Sequence, residues 1–240
     1  MSRTLTRLYG IVSYVIFLIT FLYLIGFVGN IAVPKSIDSG VEGDFTSSLI
    51  VDVILLGVFA AQHSVMARPG FKRAWTRIVP PVIERSTYVL LSNLVLVLLF
   101  WQWRPLPGVI WDVRNPVAAL LLQLLFFVGW SITVISTVLI NQSEMFGLRQ
   151  VRLQEKYTEL EFRTPSLYNL VRHPIMLGFV IAFWATPKMT VGHLLFAVVT
   201  TVYILIAIQL EERDLINTLG ESYSAYRRRV PMLLPLPKKY

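Results

Sequence analysis

Residues 10–29 run for twenty positions without a charged side chain, and this stretch limits the fold most. At ~1.5 Å per residue, a helix of that length covers the ~30 Å hydrocarbon core of a bilayer. Arg3 and Arg7 precede it. A signal peptide begins in the same way, but its apolar part is usually ~7–15 residues, and no clear cleavage signal follows here. The segment reads as a retained first span.

Four further runs have the same character. Residues 49–67 form a largely apolar run that contains Asp52, Gln62 and His63, and residues 86–103, 116–140 and 191–210 carry no Asp, Glu, Lys or Arg. Residues 175–185 are apolar but too short to cross alone. They need residues 168–172 in the same helix, or they re-enter the membrane. The fold class expected is an all-α integral membrane protein, a bundle of about six transmembrane helices with a C-terminal cytosolic segment. Residues 1–240 read as a single membrane domain. Residues 30–48 and 104–115 read as loops, residues 187–190 as a tight turn, and residues 141–171 as a polar segment too long for a simple turn.

Composition agrees. Charged residues are 15%, against about 25% in a soluble domain. The net charge of +8 is therefore assigned to the membrane face that meets anionic lipid and cytosol, with no nucleic-acid partner expected. Arginine and lysine concentrate before residue 10, in residues 68–85, in residues 141–172 and in the tail. This bias places both termini in the cytoplasm, and the membrane itself reads as the inner membrane of a bacterium. Cysteine is absent, which excludes disulfides, thiolate metal sites and cysteine nucleophiles. His63, His173 and His193 lie far apart in the chain, so no metal is expected.

The same topology gathers polar groups at one mouth. Asp52 and His63 stand about 16 Å apart along a helix, which puts Asp52 near the outer interface and His63 near the cytoplasmic one. Gln62, His63, Asn141, Gln142, Glu144, Arg149, His173 and Glu211 then become candidates for one cytosol-facing pocket. Each has a structural reading as well. Arg172 and Glu211 suit helix ends reaching for water. Glu211, Glu212, Arg213 and Asp214 suit a solvated charge run. His63 suits a satisfied interior histidine, Glu144 and Arg149 suit loop charges, and Tyr223 and Tyr226 suit interfacial anchors. Asp52 reads as a helix-start charge, and His193 is given no role.

The C-terminal pattern weighs against those readings. Arg172-His173-Pro174 with Gly178, then Glu211-Glu212 with Leu215, Gly220, Tyr223 and Tyr226, resembles the isoprenylcysteine carboxyl methyltransferase type of membrane methyltransferases. Phe59 to Arg68, Phe146-Gly147-Leu148-Arg149-Gln150, Phe162-Arg163-Thr164-Pro165 and Phe183 to His193 resemble the methanethiol S-methyltransferase branch, related to NnrU-type membrane proteins. Met176 stands where the wider family often has tyrosine.

The resemblance implies S-adenosylmethionine as cofactor and methanethiol, a small thiol, as substrate, with dimethyl sulfide as product. It implies a donor-binding region over residues 168–237 that uses Arg172, His173, Pro174, Gly178, Glu211, Glu212, Tyr223 and Tyr226. Arg172 suits the donor carboxylate through its planar fork, and Glu211 or Glu212 suits its amino group or ribose hydroxyls. Methyl transfer to sulfur needs a thiolate, so a base is required. His63 and Glu144 are the candidates, with Arg149 to stabilise the anion. Two other readings stay open. One is methylation of a lipid or prenylated carboxyl group. The other is a non-enzymatic NnrU-like membrane component, which has no reason to bind the donor.

Overall fold

The computed structural model describes residues 2–154 and 162–235; positions 236 and 237 of the expected donor-binding region lie outside them. The chain divides into two compact units, Met1–Gly108 with Asn141–Glu161, and Val109–Ile140 with Phe162–Tyr240.

In the first unit, α1 (Arg3–Gly29) and α2 (Phe45–Ala67) both pack on α4 (Glu84–Gln102), and a short α3 (Pro69–Trp75) follows α2. Ser2 starts α1 by accepting the Leu5 N–H at 3.3 Å, and Asn30 stops it at φ 55°. Asp44 starts α2 by accepting the Ser47 N–H at 3.0 Å. The helices are inside-out relative to a soluble bundle. Large apolar side chains such as Ile19, Leu22, Ile54 and Leu94 are exposed, whereas Ser13 and Thr20 are buried. Their hydroxyls donate to the Tyr9 and Ile16 carbonyls at 2.8 Å, so neither hydroxyl is left unmet.

The 141–154 segment is not a featureless loop. It forms α6 (Gln142–Met145) and α7 (Leu148–Leu153), and Phe146 stacks on Phe17 of α1 at 4.0 Å. Gly147 joins the two at φ +78°, where a Cβ would meet the Ser86 backbone nitrogen at 2.9 Å. Only glycine fits that position without strain. Asp52 is not the helix-start charge expected, since α2 begins at Phe45. It is fully buried within α2 and accepts the Arg104 N–H at 3.0 Å.

In the second unit, β1 (Val109–Asp112) pairs antiparallel with β2 (Lys188–Thr190), Trp111 opposite Met189. Residues 188–190 of the expected turn and residues 109–112 of the expected 104–115 loop are therefore strands. α5 (Pro116–Leu139), opened by the Asn115 side chain, packs closely on α8 (Pro174–Trp184). α9 (Val191–Leu219) runs for 29 residues, straight through Glu211 and Glu212, and α10 (Glu221–Arg229) follows after Gly220.

Among the described residues, five helices are long and apolar enough to cross a membrane: Arg3–Gly29, Phe45–Ala67, Pro81–Gln102, Pro116–Leu139 and Val191–Leu219. The sixth, α8, has 11 residues, about 16 Å. Residues 168–172 do not extend it. Ser166–Asn169 is a 3₁₀ turn, and the Arg172 and His173 N–H groups donate to Pro231 and Met232 carbonyls at 2.9 and 3.2 Å. Those donors are used outside the helix, and Pro174 takes its first position, where a missing N–H costs nothing.

Candidate functional site

The second unit holds a buried charge cluster where the start of α8 meets the end of α9. Glu212 is 2% exposed and Arg172 7% exposed. Arg172 Nε and Nη2 each lie 2.7 Å from Glu212 Oε1. Arg172 Nη1 donates to the Val230 carbonyl at 2.5 Å and the Arg227 carbonyl at 3.2 Å. His173 Nε2 is 3.0 Å from the same Glu212 oxygen, and Arg227 Nε is 3.0 Å from Oε2. Two buried charges survive together only with this degree of mutual satisfaction. Glu211 behaves differently. Its side chain is 48% exposed, and its Oε2 lies 3.8 Å from His173 Nδ1.

An aromatic cluster adjoins these charges. Phe162, Tyr223 and Tyr226 meet edge-to-face at 5.6–5.8 Å between centroids. Val230 closes the group, with Leu215, Ile216 and Leu219 packed against it. The Tyr226 hydroxyl donates to the Tyr168 carbonyl at 2.6 Å. Burial pushes the Tyr168 and Tyr223 phenols well above their ordinary value and raises Tyr226 to about 12, so all three rings stay neutral near pH 7.

Pro174 fixes the turn directly after His173. Gly178 faces α5 rather than the charges: a Cβ there would stand 2.3 Å from Thr133 Oγ1 and 2.5 Å from the Gly129 carbonyl. Its lack of a side chain is thus accounted for by helix packing.

The first unit holds a separate polar cluster. His63 on α2 meets Tyr88 on α4, whose hydroxyl is 2.9 Å from Nε2 and 3.0 Å from Nδ1. Ser92, one turn further along α4, places its Oγ 3.3 Å from His63 Nδ1 and 3.3 Å from Gln62 Nε2. One turn before Tyr88, Arg85 ion-pairs with Glu144 at 3.1 Å, and Arg149 binds the other oxygen of Glu144 at 3.0 Å. The α4 face 85–88–92 therefore brings the His63 and Glu144 groups to neighbouring turns. Asn141 is used locally, accepting the Glu144 N–H as the cap of α6.

Sequence reasoning missed Arg85, Tyr88, Ser92, Phe162, Tyr168 and Arg227 as partners. For α4 a signal existed, since Arg85, Tyr88 and Ser92 repeat at helical spacing. Nothing local distinguishes Arg227 from Arg228 and Arg229. Only the fold of α10 against α9 selects it.

The family model described as "NnrU protein" matches residues 52–224. The chain is 57% identical to the methanethiol S-methyltransferase of Mycobacterium tuberculosis, over 100% of both chains. It is 53% identical to the methanethiol S-methyltransferase of Crocosphaera subtropica, over 98% of this chain and 93% of the relative. It is 54% identical to methanethiol S-methyltransferase 2 of Bradyrhizobium diazoefficiens, over 98% and 91%. No solved structure matches it. On the length of that match, the chain belongs to the NnrU protein family of integral membrane proteins.

Proposed function

We propose that this protein is a membrane methyltransferase that converts methanethiol to dimethyl sulfide, with S-adenosylmethionine as the methyl donor. The observation that carries this reading is 57% identity, over the whole of both chains, with a protein named methanethiol S-methyltransferase.

The described residues suit such a donor. When bound, it supplies an electrophilic methyl group on a cationic sulfur, together with an ammonium and a carboxylate. Glu211, half exposed beside His173 Nδ1, is assigned to the ammonium or the ribose hydroxyls. The aromatic group of Phe162, Tyr223 and Tyr226 suits adenine or the sulfonium. Arg172 and Glu212 are already committed to each other, Arg172 also to two backbone carbonyls and Glu212 to His173 and Arg227. Their assigned part is to frame the site and orient His173, while the half-exposed Arg227 side chain serves the donor carboxylate.

The acceptor must lose a proton. A simple thiol ionises near or above ~8.5, so little is thiolate at pH 7. His63 is assigned as the base that takes the thiol proton, held in place by Tyr88 and Ser92. Both oxygens of Glu144 are already ion-paired with arginines, which leaves Glu144 and Arg149 to shape the charge around the anion. Transfer would join that thiolate sulfur to the methyl carbon and break the donor's sulfonium–methyl bond, with S-adenosylhomocysteine as the product that leaves. The basic loops are assigned to the cytosolic face of a bacterial inner membrane.

The test is headspace analysis of purified protein supplied with methanethiol and S-adenosylmethionine. Dimethyl sulfide and S-adenosylhomocysteine should form in equal amounts. Absence of both from folded protein overturns the reading.

A further inference from the structure

A second polar feature of the first unit plays no part in that chemistry. Two connections meet at one end of its three long helices: residues 30–44, between α1 and α2, and the stretch that follows α4. Together they line an open cleft of about 600 Å³. Lys35, Glu42, Trp101 and Arg104 line it. His63 lies eleven residues further along α2 than Asp52, about 16 Å away, so the cleft is at the opposite end of the unit from the His63 cluster.

The cleft has a charged interior and an apolar rim. Lys35 Nζ donates to the Trp101 carbonyl at the end of α4 at 2.5 Å. Burial lowers the Lys35 ammonium below its ordinary value, with Asp52 pulling it back up. Arg104 donates its backbone N–H to Asp52 and makes one long guanidinium contact, to Ser47 Oγ at 3.5 Å. Beneath them, Ser48 Oγ and Asp52 Oδ2 are fully buried without a hydrogen-bond partner. Ser48 Oγ lies directly under Gly43, a lining residue, 3.0 Å from where a Cβ would be. Around this interior, Trp101 is 70% exposed, and Val41 and Phe45 are also exposed.

We infer that this cleft binds a phospholipid headgroup, with the phosphate on Lys35 and Arg104 and an ammonium on Glu42, as in phosphatidylethanolamine. Three observations point there. The cleft sits where apolar helices end, which is the depth of lipid phosphates. Two half-buried cations, Lys35 and Arg104, line it, and a phosphate diester supplies an anion that both can bind. The exposed indole and its apolar neighbours fit the glycerol and upper acyl region, where tryptophan is favoured. Buried beneath the cleft, Asp52 offsets part of the positive charge, which favours a zwitterionic over a strongly anionic headgroup.

Native mass spectrometry of the detergent-purified full chain tests this. Phosphatidylethanolamine, phosphatidylglycerol and soluble glycerophosphoethanolamine are the probes, and a thermal melt of each variant reports folding. Phosphatidylethanolamine should bind the wild type about tenfold or more tightly than the Lys35→Gln, Arg104→Gln double variant. The exposed Glu42→Gln should weaken phosphatidylethanolamine severalfold and leave phosphatidylglycerol unchanged, and this arm stands even if the double variant fails to fold. Equal lipid adducts on wild type and folded double variant overturn the site. Displacement of lipid by equimolar glycerophosphoethanolamine overturns the lipid source in favour of a soluble phosphate. Equal binding of the two lipids overturns the assignment of Glu42.

Discussion

Arg172 grips Glu212 side-on: its Nε and Nη2 both lie 2.7 Å from one carboxylate oxygen, Oε1. The remaining contacts of that guanidinium go to carbonyls of residues 227 and 230. The pair therefore ties three pieces of chain together, the turn before α8, the end of α9 and the exit from α10.

Adjacent glutamates should then behave differently. Glu212→Ala leaves a buried guanidinium unpaired, which costs roughly 3–5 kcal/mol, so the protein should melt early in detergent. Glu211→Ala removes a half-exposed side chain and should shift stability by no more than about 0.5 kcal/mol, yet product formation should fall through weaker donor binding. Equal melting losses for the two variants would remove the distinction between frame and ligand contact.

Tyr226→Phe deletes the donor to the buried Tyr168 carbonyl. The expected loss is about 1–2 kcal/mol, the cost of one hydrogen bond with an acceptor left unsatisfied. A pH effect follows from the same burial. The folded-state phenol is raised from 10.0 to about 12, so the neutral form is favoured in the fold. Its contribution is fully present below pH 10 and is lost as pH rises toward about 12. Melting temperatures recorded across that window should fall less steeply for Tyr226→Phe than for the wild type.

Gly178→Ala places a methyl group against Thr133 Oγ1 and the Gly129 carbonyl, at 2.3 and 2.5 Å. Overpacking of this kind costs about 1–3 kcal/mol or more. The variant should melt early whether or not donor is present. A normal melt with donor binding alone impaired would return Gly178 to the ligand site.

His63→Gln should lower turnover by about 10²–10⁴-fold at neutral pH, the usual contribution of a positioned base. The deficit should shrink as pH approaches the thiol's own ionisation, because solvent then supplies the thiolate. A pH-independent deficit would point to a role for His63 in packing against Tyr88 instead.

Substrate choice should be loose. Methanethiol has no polar handle beyond its sulfur, and one methylene changes binding by only ~1–3 kcal/mol. Ethanethiol supplied to the purified protein should yield ethyl methyl sulfide at a reduced rate. Complete rejection would require something other than pocket size.

The sequence by itself determined that this chain lives in a membrane and roughly where its long helices run. An uncharged run of twenty residues has few other stable fates, because lipid tolerates only backbone whose hydrogen bonds are met locally. It also marked Arg172, His173 and the two glutamates, since charges beside apolar helices need partners. What those charges do was left to tertiary structure. Glu211 and Glu212 are neighbours of one type, but the turn of α9 buries one against Arg172 and leaves the other half exposed. Asp52 reads in sequence as a helix-start charge and is buried on the Arg104 backbone. The strands at 109–112 and 188–190 are too short to announce themselves, and they exist because each supplies the other's partners. Pairings across many residues carry no local period, so only the folded chain decides them.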